Sequence, residues 1–146
     1  MTFVGLLKAV GDYLENTINA IMQKDEKDEP KIQKVVYDYP DMTMHSENKI
    51  LFLHLSDVEY DTLTTESHLA RIKIIVYGVI GGSDEETLQE RLWAYADALY
   101  LAIEQDLSLG SFCDVSFIRS IRFYTDVEGV QNRKAFEAQI ELLTET

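Results

Sequence analysis

Three histidines are the first candidates for chemistry in this sequence, because imidazole is both a common metal ligand and a common general base. His45, His54 and His68 are nine and fourteen residues apart. Two ligands on one helix face lie three or four residues apart, so this spacing does not suit a helical metal site. We expect these histidines to lie on strands or at the surface and to bind no metal.

The acidic segment that begins at Asp57 resembles the start of a calcium-binding loop. Asp57, Glu59 and Asp61 alternate along the chain as calcium ligands do. However, the sixth position is Thr62, where the loop needs glycine, and the twelfth is His68, where it needs a bidentate glutamate. We therefore expect a solvated acidic turn and no bound calcium.

Glycines before a helix can form a phosphate site, because the helix N-terminus presents free N–H groups. Gly81 and Gly82 precede a predicted helix, but its first turn carries Asp84, Glu85 and Glu86. Carboxylates at this end of a helix would repel an anion. The sequence therefore predicts no phosphate site.

Nucleophile motifs are also missing from the sequence. No Gly-x-Ser-x-Gly segment occurs, and no histidine is adjacent to Cys113, the single cysteine. We predict that Cys113 is a small core residue, that the protein is not an enzyme and that it uses no cofactor. One cysteine cannot close a disulfide within the chain, which favours a reduced, intracellular setting.

Length and charge limit the class of protein. The 146 residues suit a single domain over 1–146 with a core of its own. Thirteen Lys and Arg against 26 Asp and Glu give a net charge of −13, and such a chain would repel DNA rather than bind it tightly. Glycines and acids interrupt the N-terminal apolar residues, so we expect neither a signal peptide nor a membrane span.

Hydrophobic periodicity and turn residues divide the chain into helices and strands. The predicted elements are helices over about 2–23 and from 83 to about 107, and strands over 32–37, 49–58, 67–80, 113–125 and 133–143. The order α-β-β-β-α-β-β predicts an α+β fold, with an antiparallel or mixed β-sheet of about five strands and two main helices. The last two strands are expected to pair as a hairpin, and the polar residues 24–30 and 59–66 to be solvated connections.

Both helices show an apolar face. The predicted core positions are Phe3, Leu7, Val10, Leu14, Ile18 and Ile21 in the first helix, and Leu88, Leu92, Tyr95, Leu99, Ala102 and Ile103 in the second. On the strand over 67–80, alternate residues from Ala70 to Ile80 are apolar, while the opposite face changes from Arg71 and Lys73 to apolar residues. We expect that second face to be half covered.

Trp93, Tyr100 and Leu107 lie away from the core face of the second helix. Aromatic residues are enriched at the centres of interfaces, which predicts a partner surface. A core face wider than usual is an equally good interpretation. The helix also carries a predicted acidic surface, which comprises Asp84, Glu85, Glu86, Glu90, Asp97 and Glu104.

The segment over 37–44 is a second candidate for contacts with a partner. It contains Tyr37, Tyr39, Met42 and Met44 and shows no periodic pattern. Such a segment either packs under the sheet or contacts a neighbouring molecule. Because methionine side chains adapt to varied surfaces, we favour the second alternative.

The layout has an N-terminal helix, a charged connection, strands separated by long loops, and the helix segment Glu-Thr-Leu-Gln-Glu-Arg-Leu-Trp-Ala-Tyr-Ala-Asp-Ala-Leu over 86–99. A closing hairpin begins near Phe-Ile-Arg-Ser-Ile-Arg-Phe-Tyr over 117–124. Together these features resemble the tail terminator, or tail completion, proteins of long-tailed bacteriophages. The resemblance implies a homo-hexameric ring that caps the tail tube, stops its polymerisation and binds the head-tail connector protein.

The same resemblance implies a place in the virion, at the junction of tail and neck, after assembly in the host cytoplasm. That family offers no catalytic residues to transfer. DNA would pass through the ring, and carboxylates of the acidic surface, if they faced the lumen, would let it pass without tight binding. Two alternatives remain open: a neck or head-completion ring protein, and an acidic DNA mimic that inhibits a nuclease.

Overall fold

The computed structural model describes residues 2–25, 27–38, 40–41, 45–82, 85–124 and 132–145, with the backbone alone for residues 25 and 85. The elements are α1 (Phe3–Asp25), β1 (Lys34–Val36), β2 (Lys49–Thr62), β3 (His68–Gly81), α2 (Glu85–Gln105), β4 (Val115–Tyr124) and β5 (Arg133–Glu145). The predicted order of elements and the α+β class are confirmed. Neither described helix combines the length and the apolar character that crossing a membrane requires.

The strands form one mixed sheet in the order β1-β2-β3-β5-β4. β1 is parallel to β2, the other neighbours are antiparallel, and β4 pairs with β5 as predicted. Residues 59–66 are exposed, as predicted, but the first half of this segment is strand rather than connection, because pairing between β2 and β3 continues to Thr62 and His68. This end of the hairpin is exposed on both faces, so its strands lack the apolar alternation that identifies a strand in a sequence.

The core lies between the two helices and one face of the sheet. All six predicted core positions of α2 are buried. In α1 the buried row is Leu6, Val10, Leu14, Ile18 and Met22. Residues four apart form one ridge of a helix, and Phe3 and Leu7 belong to the neighbouring ridge. Phe3 is consequently exposed, and Leu7 and Ile21 are only partly buried, which corrects the predicted face of α1.

The face of the sheet that points away from the helices is apolar and buried near one end. A second cluster there comprises Ile50, Phe52, Tyr77, Val79 and Ala135. Farther along β3 the same face carries Arg71, which is partly buried, and Lys73, which is exposed. The prediction that this face of β3 is half covered is confirmed.

The connection between α1 and β1 was predicted to be solvated. That prediction is wrong at Glu29, which is buried. Both carboxylate oxygens of Glu29 accept hydrogen bonds from the guanidinium of Arg91, at 2.8 and 3.0 Å. The ammonium group of Lys49, itself fully buried, lies 3.3 Å from the same carboxylate and donates to the Pro30 carbonyl at 2.9 Å. The carboxylate therefore fixes the connection to the start of β2 and to α2.

Candidate functional site

Seven exposed residues form one strip along α2 and the turn that follows it. Their spacing alternates between four and three residues, which keeps them on one side of a helix. We call them the α2 strip: Glu86, Glu90, Trp93, Asp97, Tyr100, Glu104 and Leu107, each of which is exposed. The strip combines the predicted partner surface with the described part of the predicted acidic surface.

The apolar members of the α2 strip are not core residues. Trp93, Tyr100 and Leu107 keep 52%, 46% and 41% of their surface exposed. The core side of α2 is already occupied by the row from Leu88 to Ile103. This exposure rules out the interpretation that Trp93 and Tyr100 widen the core face of the helix.

Contacts on another side of α2 hold the helix against α1 and against the connection that follows α1. The Tyr13 hydroxyl donates to the Ala102 carbonyl at 2.8 Å, and Arg91 binds Glu29. Tyr95 adds a contact to the sheet, because its hydroxyl donates to the Ile50 carbonyl at 3.0 Å. The α2 strip is therefore carried by a helix fixed along its length.

An open hollow of about 510 Å³ lies at the N-terminal half of the α2 strip. Its walls are formed by Glu86, Gln89, Glu90 and Trp93 of α2 and by Lys134 at the start of β5. The hollow joins two carboxylates and an indole ring to the one cation Lys134, so negative charge is in excess and a further cationic side chain would be attracted. Its openness to solvent suits a side chain of another macromolecule.

The turn after α2 fixes the position of Leu107. Asp106 accepts hydrogen bonds from the Ser108 hydroxyl and amide and from the Gly110 amide, which lower the pKa of its carboxyl group. Gly110 has a left-handed conformation, with φ of 81°, which glycine adopts without steric strain. The Leu107 carbonyl accepts a 2.7 Å hydrogen bond from the Ser116 hydroxyl at the start of β4. The backbone is thus held on both sides of the exposed leucine.

The other predicted contact residues lie elsewhere or outside the described part of the chain. Tyr37 is half-buried against α1, where its hydroxyl would meet a Cβ at Gly11 within 2.5 Å. Burial raises the pKa of this tyrosine. Its ring is thus engaged within the chain, on the helix rather than under the sheet. Those outside the described residues are Tyr39, Met42, Met44, Asp84 and the side chain of Glu85.

Among the residues that the structure describes, the side chains suited to catalysis are not grouped into a catalytic site. Within the described ranges, no three His, Cys, Asp or Glu side chains are grouped as metal ligands would be. Cys113 is buried in the core, as predicted, and burial raises the pKa of its thiol to about 11. The thiol is therefore protonated at neutral pH and is a poor nucleophile.

A group of cations on the opposite face of the sheet was missed by the sequence reasoning. We call it the basic patch: Arg71 and Lys73 of β3, with Arg119 and Arg122 of β4. These residues meet only through β5, which lies between β3 and β4. Two separate stretches of sequence thus form the patch, and no local spacing reveals it.

The carboxylate at the centre of the basic patch is Glu141, which is buried. Arg119 donates to it at 2.9 Å and Arg71 at 3.3 Å. These hydrogen bonds, above all the one from Arg119, lower the pKa of Glu141 despite its burial. The Arg119 guanidinium also lies 4.6 Å from the centre of the Phe117 ring. The patch therefore presents cations to solvent over a buried carboxylate.

Acids also border the basic patch. Asp61 of β2 accepts from Arg71 at 3.0 Å, and in the strand register Asp57 is opposite Lys73 and Glu59 is opposite Arg71. On β5, Glu137 accepts from the hydroxyls of Tyr77 and Tyr124. Arg119 and Arg122 are exposed on β4, the outermost strand, and are therefore well placed to meet another molecule.

Comparison with known proteins adds no family to this geometry. No protein-family model and no curated protein sequence matches the chain.

Proposed function

We propose that this protein is a structural subunit of a long-tailed bacteriophage. In this proposal, copies form a ring that caps the tail tube, stops tube polymerisation and joins the tail to the head connector. The observation that carries the proposal is the α2 strip, in which aromatic and acidic side chains are exposed on a fixed helix. The element order that the resemblance requires supports it.

The α2 strip has the composition of a contact surface. Trp93 and Tyr100 offer large, stiff apolar areas, which lose little conformational entropy when they are buried by a partner. The carboxylates beside them are expensive to bury without a cation. The strip would therefore select a partner that offers both apolar area and positive charge.

The α2 strip could either line the channel through which DNA would pass or form the contact between subunits. Carboxylates and aromatic rings share this one surface, so it cannot both line a lumen and form a contact between subunits. We assign the strip to the contact. The net charge of −13 of each subunit would then keep DNA from binding tightly as it passes.

The experiment that tests the proposal measures mass in solution and growth of tail tubes in the presence of the protein. We expect a ring, or a monomer that becomes a ring at tube ends, and tubes that stop growing. Trp93→Ala with Tyr100→Ala should weaken assembly roughly tenfold or more, since anchors of this kind contribute about 2 kcal/mol. Exposed side chains contribute little to folding, so the unfolding free energy should change by less than about 0.5 kcal/mol.

The control for this pair is Phe3→Ala with Val4→Ala, which removes exposed apolar side chains from α1 instead. The control should assemble as the wild type does. Tubes that grow unchecked in the presence of folded wild-type protein would contradict the proposal. A ring that binds the portal side and leaves tubes unaffected would indicate the neck or head-completion alternative.

The DNA-mimic alternative predicts regular negative charge. Glu90, Asp97 and Glu104 are seven residues apart, which places them roughly 10.5 Å apart along the helix axis. Aromatic rings occupy the positions between them, so the strip does not present an unbroken row of charge. Inhibition of a nuclease by the monomer would favour this alternative over ring formation.

A further inference from the structure

We propose that the α2 strip of one copy docks onto the basic patch of the next copy. This inference deepens the proposed function and rests on it for the choice of a second copy as partner. The contact would pair the carboxylates of the strip with the cations of β3 and β4, and Trp93 and Tyr100 with the apolar parts of that face. It is a head-to-tail contact between two different surfaces.

The acidic side of the contact lacks compensation from its own helix. Arg91 is the single basic residue of α2. Its guanidinium forms a salt bridge with the Glu29 carboxylate at 2.8 Å. Asp97 and Glu104 are exposed on the strip beside the two aromatic rings. A cationic partner would therefore meet carboxylates that α2 itself does not neutralise.

The basic side is the complementary surface. Arg119 and Arg122 are exposed on β4, and Lys73 is exposed on β3. Phe117 lies beneath Arg119, and Tyr124 is exposed at the end of the strand. Cations interleaved with aromatic rings on one surface match carboxylates interleaved with aromatic rings on the other.

The hollow beside Trp93 is suited to an arginine of the partner copy. Glu86 and Glu90 supply carboxylates there and Trp93 an aromatic ring, and guanidinium groups bind both. Lys134 forms the opposite wall of the hollow and would repel a second cation. The partner's arginine would therefore bind on the α2 side of the hollow. Arg122 is the candidate on the partner, because it is exposed on the outermost strand.

The placement of the two surfaces favours a closed ring or a chain of copies. The strip belongs to the helix layer and the patch to the opposite face of the sheet. Two surfaces on opposite sides cannot pair reciprocally within a simple two-fold dimer. They repeat from copy to copy and close when the rotation per step divides a full turn.

Pairing through the free edge of β4 is a less suitable contact. The register shifts between Ile118 and Ser120, a bulge that interrupts the ladder at Arg119. Bulges and charged side chains on an edge strand hinder the addition of another strand. The side chains of β4, rather than its backbone, are therefore the groups that would meet a second copy.

The test is a reciprocal exchange of charge. Lys73→Glu with Arg122→Glu, and separately Glu90→Lys with Asp97→Lys, should each weaken self-association by about tenfold or more, because the contact places Arg122 at the Glu90 carboxylate. The protein that carries all four changes has the wild-type net charge and should recover self-association to within about threefold. Mass would be followed by analytical ultracentrifugation, and wild-type association should weaken as salt rises from about 50 to about 500 mM.

The matched control is Lys8→Glu with Lys31→Glu, which changes the net charge equally at exposed positions of α1 and the connection. It should leave association within about threefold of the wild type. Circular dichroism would verify that each variant is folded. If the variant at Lys73 and Arg122 does not fold, the neutral pair Lys73→Gln with Arg122→Gln replaces it and should weaken association in the same direction.

Three results would overturn the inference: a wild-type protein that stays monomeric at every concentration, charge reversals without effect, or a fourfold variant that stays as weak as its parents. A ring that caps tubes but ignores these changes would leave the proposed function intact without this contact. Reciprocal recovery in a protein that does not stop tube growth would support the contact and contradict the proposed function.

Discussion

Two buried carboxylates of this protein are each held by two cations, and they differ in where those cations point. Around Glu29, the side chains of Lys49 and Arg91 are only 1% and 19% exposed. Around Glu141, those of Arg71 and Arg119 are 38% and 54% exposed. The first group is enclosed and holds the chain together, whereas the second leaves positive charge at the surface.

The largest effect should follow from Glu29→Ala. The change leaves the Lys49 ammonium and the Arg91 guanidinium without their carboxylate in a buried site, which costs about 3–5 kcal/mol. Chemical denaturation would measure the free energy of unfolding. Lys49→Met is the control: it leaves the paired Glu29 and Arg91 in place, and its loss should be the smaller of the two. Equal losses would mean that the ammonium group, rather than the carboxylate, is the centre of the cluster.

Lowering the pH should remove the contribution of the Glu29 carboxylate to the free energy of unfolding. Burial alone would raise its pKa, but the hydrogen bonds from Arg91 and the charges of Lys49 and Arg91 outweigh burial and lower it. Because the pKa of Glu29 is lower in the folded than in the unfolded state, its carboxylate stabilises the fold at pH values above its unfolded pKa of 4.5. This stabilisation is lost as the pH falls through the pKa of the folded state.

The measurement is the difference in unfolding free energy between wild type and Glu29→Gln as a function of pH. The difference should be constant near neutral pH and should shrink as the pH falls below 4.5. Glu141→Gln, at a carboxyl whose pKa is also lowered, should follow the same direction. A difference that grows towards acid would contradict the assigned charge states.

The smallest effect on folding should follow from Glu141→Ala. Its two arginine partners reach water already, so they can be solvated when the carboxylate is removed, and the loss should be about 1 kcal/mol. Denaturation beside Glu29→Ala would compare the same deletion at the two sites. A loss as large as that of Glu29→Ala would show that the basic patch is part of the structural framework rather than a surface available to a partner.

The sequence predicted the elements whose apolar residues follow a clear period. The face of α2 was predictable because six core positions recur at helical spacing, and all six are buried. The end of the β2–β3 hairpin was not, because Glu59 and Asp61 are polar residues on a strand that is exposed on both faces. Periodicity reports burial, and an element without a buried face leaves no such pattern.

The candidate site was partly predictable for the same reason. The α2 strip lies on one helix and the turn directly after it, so its seven positions can be read from their spacing of four and three residues. The basic patch joins residues from distant parts of the chain, and so does the buried group of Glu29, Lys49 and Arg91. Glu29 is 20 residues from Lys49 and 62 from Arg91. Such pairings depend on the topology of the sheet and on helix placement, which single-sequence patterns do not supply.

The buried position of Glu29 has a consequence for how copies could combine. Exchange of α1 between two molecules, a domain swap, would require the connection after α1 to leave its site and separate Glu29 from Lys49 and Arg91. Because that separation leaves buried charges without their partners, the open form needed for a domain swap has a high free energy. Each molecule should therefore keep its own N-terminal helix, and higher-order assembly should proceed from completed subunits.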